Sequence, residues 1–281
     1  MIDLHAHTTC SDGTDSPLAL VKKAASSGIT VLGVTDHDST AGWQEATDAL
    51  HGNLKLALGA EVSCLTTDGI SVHMLGLLFD GENQPLQQLL SDSRDTRIPR
   101  MRKMIENLQG AGYDITIEHV EAVKPSGATI GRPHLADALV AQKIVASRDE
   151  AFKELLHNDS PFYVSHFAPT PEDSIRAIRA AGGVAVIAHP FASRRGQTLT
   201  PESFASLVDA GLNGIEVFHR DQSEEERSEL LVIAKALNLV VTGSSDYHGT
   251  GKLNQLGENA TAEAEWERLE SFANQRRVVS R

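Results

Sequence analysis

Residues 29–38 read Ile29-Thr30-Val31-Leu32-Gly33-Val34-Thr35-Asp36-His37-Asp38. A short apolar run rich in β-branched residues predicts a buried strand, and this one stops in three ionisable side chains. The same pattern stands upstream, where residues 2–6 form an apolar run that closes on His5-Ala6-His7. Between the two runs, Ser16-Pro17 supplies an N-cap and a proline at the first helical position. Leu18, Val21, Ala24 and Ala25 then form an apolar stripe, and Gly28 ends the helix. Strand, helix, strand in succession implies parallel strands with the helices outside.

Working outward, residues 40–50 predict another helix. Residues 55–63 and 70–79 predict two strands joined through Asp68-Gly69, a hairpin signal. Residues 82–167 are mostly helical in pattern and contain no convincing buried strand. The alternation then resumes. Helices are expected from Thr170-Pro171, from Thr200-Pro201, over 223–237 behind a Ser223/Glu226 capping box, and over 262–274. The strands between them fall at 183–188, 214–218 and 239–243. No internal repeat or long linker interrupts this plan. A chain of 281 residues suits one α/β barrel, which uses roughly 250 residues, with an insertion. The expected division is a barrel from residues 1–81 and 168–281 and a helical insertion over 82–167.

Composition excludes several classes. Apolar and charged residues, 41% and 22%, are ordinary globular usage, so a disordered chain or fibre is ruled out. A formal charge of −13 disfavours duplex DNA as a partner. Two cysteines, Cys10 and Cys64, allow neither a disulfide framework nor a cysteine-type zinc site. Polar residues follow Met1 at once, unlike a signal peptide, and no apolar run reaches the roughly 18 residues that span a membrane. The expectation is a cytoplasmic protein.

In parallel α/β folds the chemistry sits at the carboxyl ends of the strands. Here those ends carry His5 and His7, then Asp12; Asp36-His37-Asp38; Glu61; His73; His189; Glu216 and His219; and Asp246 with His248. His5 and His7 are two apart, so on an extended strand they share a face. One such histidine says little, but repetition at nearly every strand end argues for a shared site. Neutral imidazoles mixed with a few carboxylates suit zinc, manganese or iron rather than calcium. Nine candidate ligands would serve two or three ions, and clustered divalent ions activate water and clamp an oxyanion. Three such ions against Asp12, Glu61 and Asp246 would leave a local charge of about +3, attractive to phosphate although the chain as a whole is acidic.

These residues, in this order, resemble the PHP (polymerase and histidinol phosphatase) superfamily of metal-dependent phosphoesterases. The matching pieces are Asp3-Leu4-His5-Ala6-His7, Ser11-Asp12-Gly13, Thr35-Asp36-His37-Asp38, Gly59-Ala60-Glu61, Ala188-His189-Pro190 and Gly243-Ser244-Ser245-Asp246-Tyr247-His248. The resemblance implies a distorted seven-stranded (β/α) barrel. It also implies a ligand scheme: His5, His7 and Asp246 on one metal, Glu61 bridging to a second completed by His73 and His189, and Asp12, His37 and His248 on a third. Many members carry histidine where this chain has Asp12, which makes the third site the least typical. Gly131-Arg132-Pro133-His134-Leu135-Ala136 resembles a motif of the branch acting on nucleoside phosphates and short oligonucleotides, which carries a helical insertion at this place. The implied reaction is attack by a metal-bridging hydroxide on AMP, a nucleoside 3′,5′-bisphosphate or a short 5′-phosphorylated oligonucleotide. A histidinol-phosphate-type phosphatase is the alternative within this family, and a non-catalytic module keeping the fold is the alternative outside enzymes. An amidohydrolase also begins with HxH, but Glu61 and Asp246-x-His248 fit the PHP pattern better.

Several residues extend the expected site. Pro133 opens a helix whose N-terminus would bind phosphate, with Arg132 adding a guanidinium contact and His134 binding phosphate or protonating the leaving oxygen. The bland alternative is that Arg132 pairs with a surface carboxylate. Arg194 and Arg195 are candidates for a second phosphate, and His219 for a supporting group or general acid. Arg94, Arg97, Arg100, Arg102 and Lys103 read first as a solvated helical face, interrupted at Pro99. His51, His119, His157 and His166 read as surface or structural residues, and Cys64 and both tryptophans as packed ones.

Overall fold

A computed structural model describes residues 1–158, 160–165, 168–274 and 278–280. Seven strands form one sheet in chain order. Strands β1 (Ile2–Asp3), β2 (Val31–Val34) and β3 (Lys55–Leu65) run parallel. Strand β4 (Ser71–Leu77) turns back antiparallel between β3 and β5 (Val184–Ala188). Strands β5, β6 (Gly214–Phe218) and β7 (Val240–Gly243) are again parallel. The two ends of the sheet approach each other through a bridge between Ala6 and Tyr247, with the His7 amide donating to the Tyr247 carbonyl at 2.8 Å. The result is a distorted, nearly closed seven-stranded barrel, as the family resemblance implied. Gly33 allows the strands to crowd: a Cβ there would fall 2.1 Å from the Leu4 carbonyl oxygen.

Helix α1 (Pro17–Ser26) begins as expected, with Ser16 accepting from the Ala19 amide. Helix α2 (Trp43–Asp48) follows β2, and Trp43 donates to the Gly59 carbonyl at 2.9 Å. Helix α3 (Gln84–Gly110) runs unbroken through Pro99, so the expected interruption does not occur. Its first turns belong to the barrel, because Leu86 and Leu90 join the barrel core. Its second half packs with α4 (Ile117–Val123), α5 (Arg132–Ala141) and α6 (Arg148–Ala151) around Met104, Leu108, Val120, Leu135 and Leu139. A turn of π-helix at 152–156 continues α6.

Helix α7 (Pro171–Ala180) follows the insertion. Helix α8 (Ser203–Ala210) starts two residues later than Thr200-Pro201 predicted. The amides of Ser203 and Phe204 reach back three residues to Thr200 and Pro201, forming tight turns rather than an α-helical start. Helix α9 (Glu224–Ala236) has the predicted Ser223/Glu226 capping box. Helix α10 (Glu263–Ser271) packs Trp266 and Leu269 against Ile2, Leu4, Val184 and Val240. One part of the barrel interior is thus filled with apolar side chains. The carboxyl ends of the strands instead bury histidines and carboxylates. No helix among the described residues is long and apolar enough to cross a membrane.

Candidate metal centre and the cavity above it

All nine sequence-predicted ligands converge on the face formed by the carboxyl ends of the parallel strands, His73 reaching it from near the amino end of antiparallel β4. Four donors define the first cluster. His5 Nε2 and His7 Nε2 lie 3.0 Å apart. Glu61 Oε2 is 3.4 Å from His5 Nε2 and 3.2 Å from His7 Nε2, and Asp246 Oδ1 is 3.5 Å from each. A tetrahedral ion with ligand bonds near 2.1 Å would separate its donors by about 3.4 Å. Glu61 Oε1 begins a second cluster, 2.8 Å from His73 Nδ1 and 3.2 Å from His189 Nε2. Asp12 anchors the third, with Oδ1 3.2 Å from His248 Nε2 and Oδ2 3.7 Å from His37 Nε2. His37 also faces Glu61 at 3.0 Å through Nδ1, so it stands between clusters.

The donors fit divalent cations on more than spacing. Asp12 Oδ1, His37 Nδ1 and His248 Nε2 are buried and, although they approach their neighbours at 3.0–3.2 Å, the geometry makes no hydrogen bond; buried polar atoms normally need a partner. Asp38, His189 and Asp246 adopt positive φ angles of 50°, 31° and 52°, a conformation uncommon for non-glycine residues.

Charge in this basin is sorted by neighbours. Burial alone would raise the Glu61 carboxyl, but His73, His37 and His5 hold it well below the usual carboxylate range. Asp246 is likewise held down against burial by Lys252, His248, His5 and Arg195. Burial would lower His7, yet Asp246 and Glu61 raise it to about 9. Burial, with Lys252 and His7, pushes His248 down to about 4.

A cavity of about 790 Å³ opens above the basin, bounded by the barrel loops on one side and the helical insertion on the other. Its described lining includes nine lysines and arginines against five carboxylates, so it is locally positive in an acidic chain. Arg97, Arg100 and Arg132 line the insertion side, which corrects the solvated-face reading of Arg97 and Arg100. Arg97 is tied to Asp38 Oδ2 and Ser63 Oγ. Arg94 donates to the Asp38 carbonyl.

Arg132 meets no carboxylate among the described residues. It donates to the Leu156 carbonyl at 2.8 Å and Asn158 Oδ1 at 2.7 Å, and it lies over the Phe152 and Tyr163 rings. Arg100 flanks Tyr163 as well and donates to the Val164 carbonyl. Both guanidiniums are desolvated enough to shift downward from their ordinary pKa, and among the described residues they donate only to neutral oxygens. Such an environment favours an anionic ligand.

Two predicted participants lie elsewhere. His134 is buried, does not line the cavity, and accepts the Gly131 amide through Nδ1 at 3.1 Å. It therefore caps the start of α5 rather than facing a leaving oxygen. His219 is also buried outside the cavity lining. Its Nδ1 accepts the Asp221 amide, leaving Nε2 to donate to Asp246 Oδ2 at 3.3 Å. This geometry selects the supporting role over the general acid. Arg194 lines the cavity, while Arg195 spans Asp221, Asp246 and His189. Of the other histidines, His119 caps α4, His51 is exposed and His157 joins the cavity wall. His166 lies outside the described residues.

Sequence reasoning missed Arg148, Lys153 and Lys252. Arg148 pairs with Asp137 and reaches the Gly251 carbonyl at 3.3 Å, linking insertion to barrel. Lys252 contacts Asp246 Oδ2 at 2.7 Å. Its place shortly after Asp246-x-His248 was the available signal; nothing local marks Arg148.

Comparison with known proteins follows the same lines. The model of the PHP domain matches residues 3–155. A 3′,5′-nucleoside bisphosphate phosphatase of Chromobacterium violaceum is 32% identical over 252 residues, 89% of this chain and 88% of its own length. A 5′-3′ exoribonuclease of Haemophilus influenzae is 32% identical over 259 residues, 92% of this chain and 93% of its own. A crystal structure from Bifidobacterium adolescentis, of a protein assigned as a metal-dependent phosphoesterase, superposes with a TM-score of 0.91. It is 38% identical, with 97% of this chain and 96% of that one covered.

Proposed function

The chain belongs to the PHP domain family, and from that membership we propose a metal-dependent phosphoesterase that releases phosphate from nucleoside phosphates or from short 5′-phosphorylated oligonucleotides. The observation that carries this reading is the first donor cluster, in which the two imidazole nitrogens lie 3.0 Å apart and each stands 3.2–3.5 Å from a Glu61 and an Asp246 oxygen, under a cation-lined cavity. His5, His7, Asp12, His37, Glu61, His73, His189, Asp246 and His248 would hold two or three ions of manganese, iron or zinc. Such ions supply an activated water and neutralise charge that develops on the phosphoryl oxygens.

The protein's own residues handle the rest of the substrate. Arg132 and Arg100, which reach no carboxylate among the described residues, bind an anionic group away from the donor clusters. Arg194 serves the barrel side, and Arg195 steadies Asp246 and His189. The second half of α3, with α4, α5 and α6, acts as a helical body that walls the cavity and selects the leaving group. A locally positive cavity with cations on both sides suits a substrate with two separated phosphates, as the Chromobacterium relative's name describes for that protein. The cytoplasm is the compartment this reading assigns, given two free thiols.

The test is manganese-dependent phosphate release from adenosine 3′,5′-bisphosphate beside AMP, with a metal-stripped control. Faster release from the bisphosphate supports the two-phosphate reading. Comparable release from AMP reduces it to a one-phosphate pocket. Absence of release from either, with no cleavage of a 5′-phosphorylated dinucleotide, rejects the enzyme reading. His5→Ala should abolish turnover under full metal supplementation.

A further inference from the structure

Glu216 lies outside the clusters built around Glu61 and Asp12, fully buried in the barrel on β6, where its carboxylate and the rings of His5 and His189 form a further group close enough to hold a cation. Its two oxygens serve two different strands. Oε1 accepts from His5 Nδ1 at 3.0 Å, and Oε2 accepts from the His189 amide at 2.9 Å. With Nδ1 held by Glu216, the ring turns its Nε2 toward His7, Glu61 and Asp246. The second bond holds the backbone at His189, whose φ of 31° is unusual. Gln222 braces the same strand end, donating to the Glu216 and Val217 carbonyls while accepting the Phe191 amide.

We infer that Glu216 is a positioning residue for the metal centre, orienting His5 of the first donor cluster and His189 of the second through one carboxylate. The inference rests on the metal-dependent reading above. A carboxylate behind a metal-binding imidazole sets its tautomer and ring direction, and losing such a partner typically costs 10–100-fold in metal affinity. Glu216→Gln keeps the shape but offers a single acceptor oxygen for two donors, so either His5 or the His189 amide loses its partner.

The experiment is manganese binding to metal-stripped wild type and Glu216→Gln, measured by chelator competition with stoichiometry and affinity both recorded. The expected result is unchanged stoichiometry with about 10–100-fold weaker binding. In the zinc-loaded, ¹⁵N-histidine-labelled protein, the His5 Nδ1–H resonance should move or vanish while that of His119 stays. Added to His5→Ala, Glu216→Gln should weaken binding less than it does alone, since part of its effect runs through His5. Wild-type affinity in Glu216→Gln with an unmoved His5 resonance overturns the inference. Loss of one bound ion with the others unaffected also overturns it, by making Glu216 a ligand itself. Should Glu216→Gln fail to fold, Glu216→Asp, which withdraws the carboxylate by one methylene, carries the same test. Wild type that binds no divalent ion fails the phosphoesterase reading instead.

Discussion

The floor and the insertion wall of the cavity handle charge in opposite ways. On the floor, every cationic or potentially cationic side chain is interleaved with carboxylates: Glu61 meets five imidazoles, and Asp246 Oδ2 meets His219, Arg195 and Lys252. On the wall, Arg97 and Arg148 pair with Asp38 and Asp137, but Arg100 and Arg132 rest on carbonyls, an amide and aromatic rings, with no carboxylate partner among the described residues. A balanced cluster of lone pairs is built for small cations, whereas guanidiniums left without a carboxylate are built for an anion. Chemistry and recognition are thereby assigned to different elements, and each can be broken separately.

Glu61→Gln should have the largest effect. Glu61 contributes to two donor clusters, so the neutral amide should release bound metal and cut kcat at least about a thousandfold, against roughly several kcal/mol of charge stabilisation from the ions. Metal content by elemental analysis and turnover check this together. A variant that keeps both would remove the floor from the chemistry.

The next effect comes from pH. His7 has a folded pKa of about 9 against an ordinary 6.5, so in the metal-free protein it carries a proton at pH 7 that a divalent ion must displace. Manganese affinity should rise about tenfold per pH unit between 7 and 9, then flatten. Stability of the metal-free protein should run the other way. The group with the raised pKa contributes fully below 6.5, and that contribution is lost as pH rises through 9. Chelator competition and thermal melts across this range test the opposed slopes; parallel slopes would reject the assignment of a proton to His7.

The same contrast explains what could be read in the chain. Floor residues stand at the ends of strands, where an apolar run meets a polar cluster, and a parallel barrel brings all such ends to one face. His5, Glu61 and Asp246 are over 50 positions apart in sequence yet were legible as one site. The wall has no such rule. Arg97 and Arg100 lie on a 27-residue helix whose side facing the cavity depends on how the insertion docks. Helical periodicity finds a polar face without saying what that face meets. Arg148 is less legible still, because its partners Asp137 and Gly251 are 11 and 103 residues away. His134 misled for a related reason: a histidine at the third helical position satisfies the helix start as readily as it serves a substrate.

Arg132→Met isolates the wall. It removes a guanidinium but keeps an unbranched side chain over Phe152 and Tyr163. Loss of a charged hydrogen-bonding partner, about 1.5–3 kcal/mol, should raise KM for a nucleotide about ten- to a hundredfold with kcat within about threefold, since the floor is untouched. Steady-state kinetics on a bisphosphate and on AMP check it, and the larger KM change should fall on the bisphosphate. An equal fall in kcat at unchanged KM would mean that Arg132 acts on the reacting phosphate and that the division between wall and floor is wrong.

The smallest effect is expected at His134, and it sharpens the comparison most. Its Nδ1 receives the Gly131 amide at the start of the helix that carries Arg132. Alanine there should cost about 1 kcal/mol of stability, as loss of a helix cap does, and raise KM a few-fold as Arg132 loosens, with kcat nearly constant. Glutamine at the same helical position can cap the same amide, so His134→Gln should recover both melting temperature and KM. A general acid behaves otherwise. Removing one lowers kcat about 10²–10⁴-fold, changes the pH profile, and is not repaired by glutamine, which has no proton to lend at neutral pH. The pair of substitutions therefore decides whether His134 belongs to the wall's scaffold or to the chemistry of the floor.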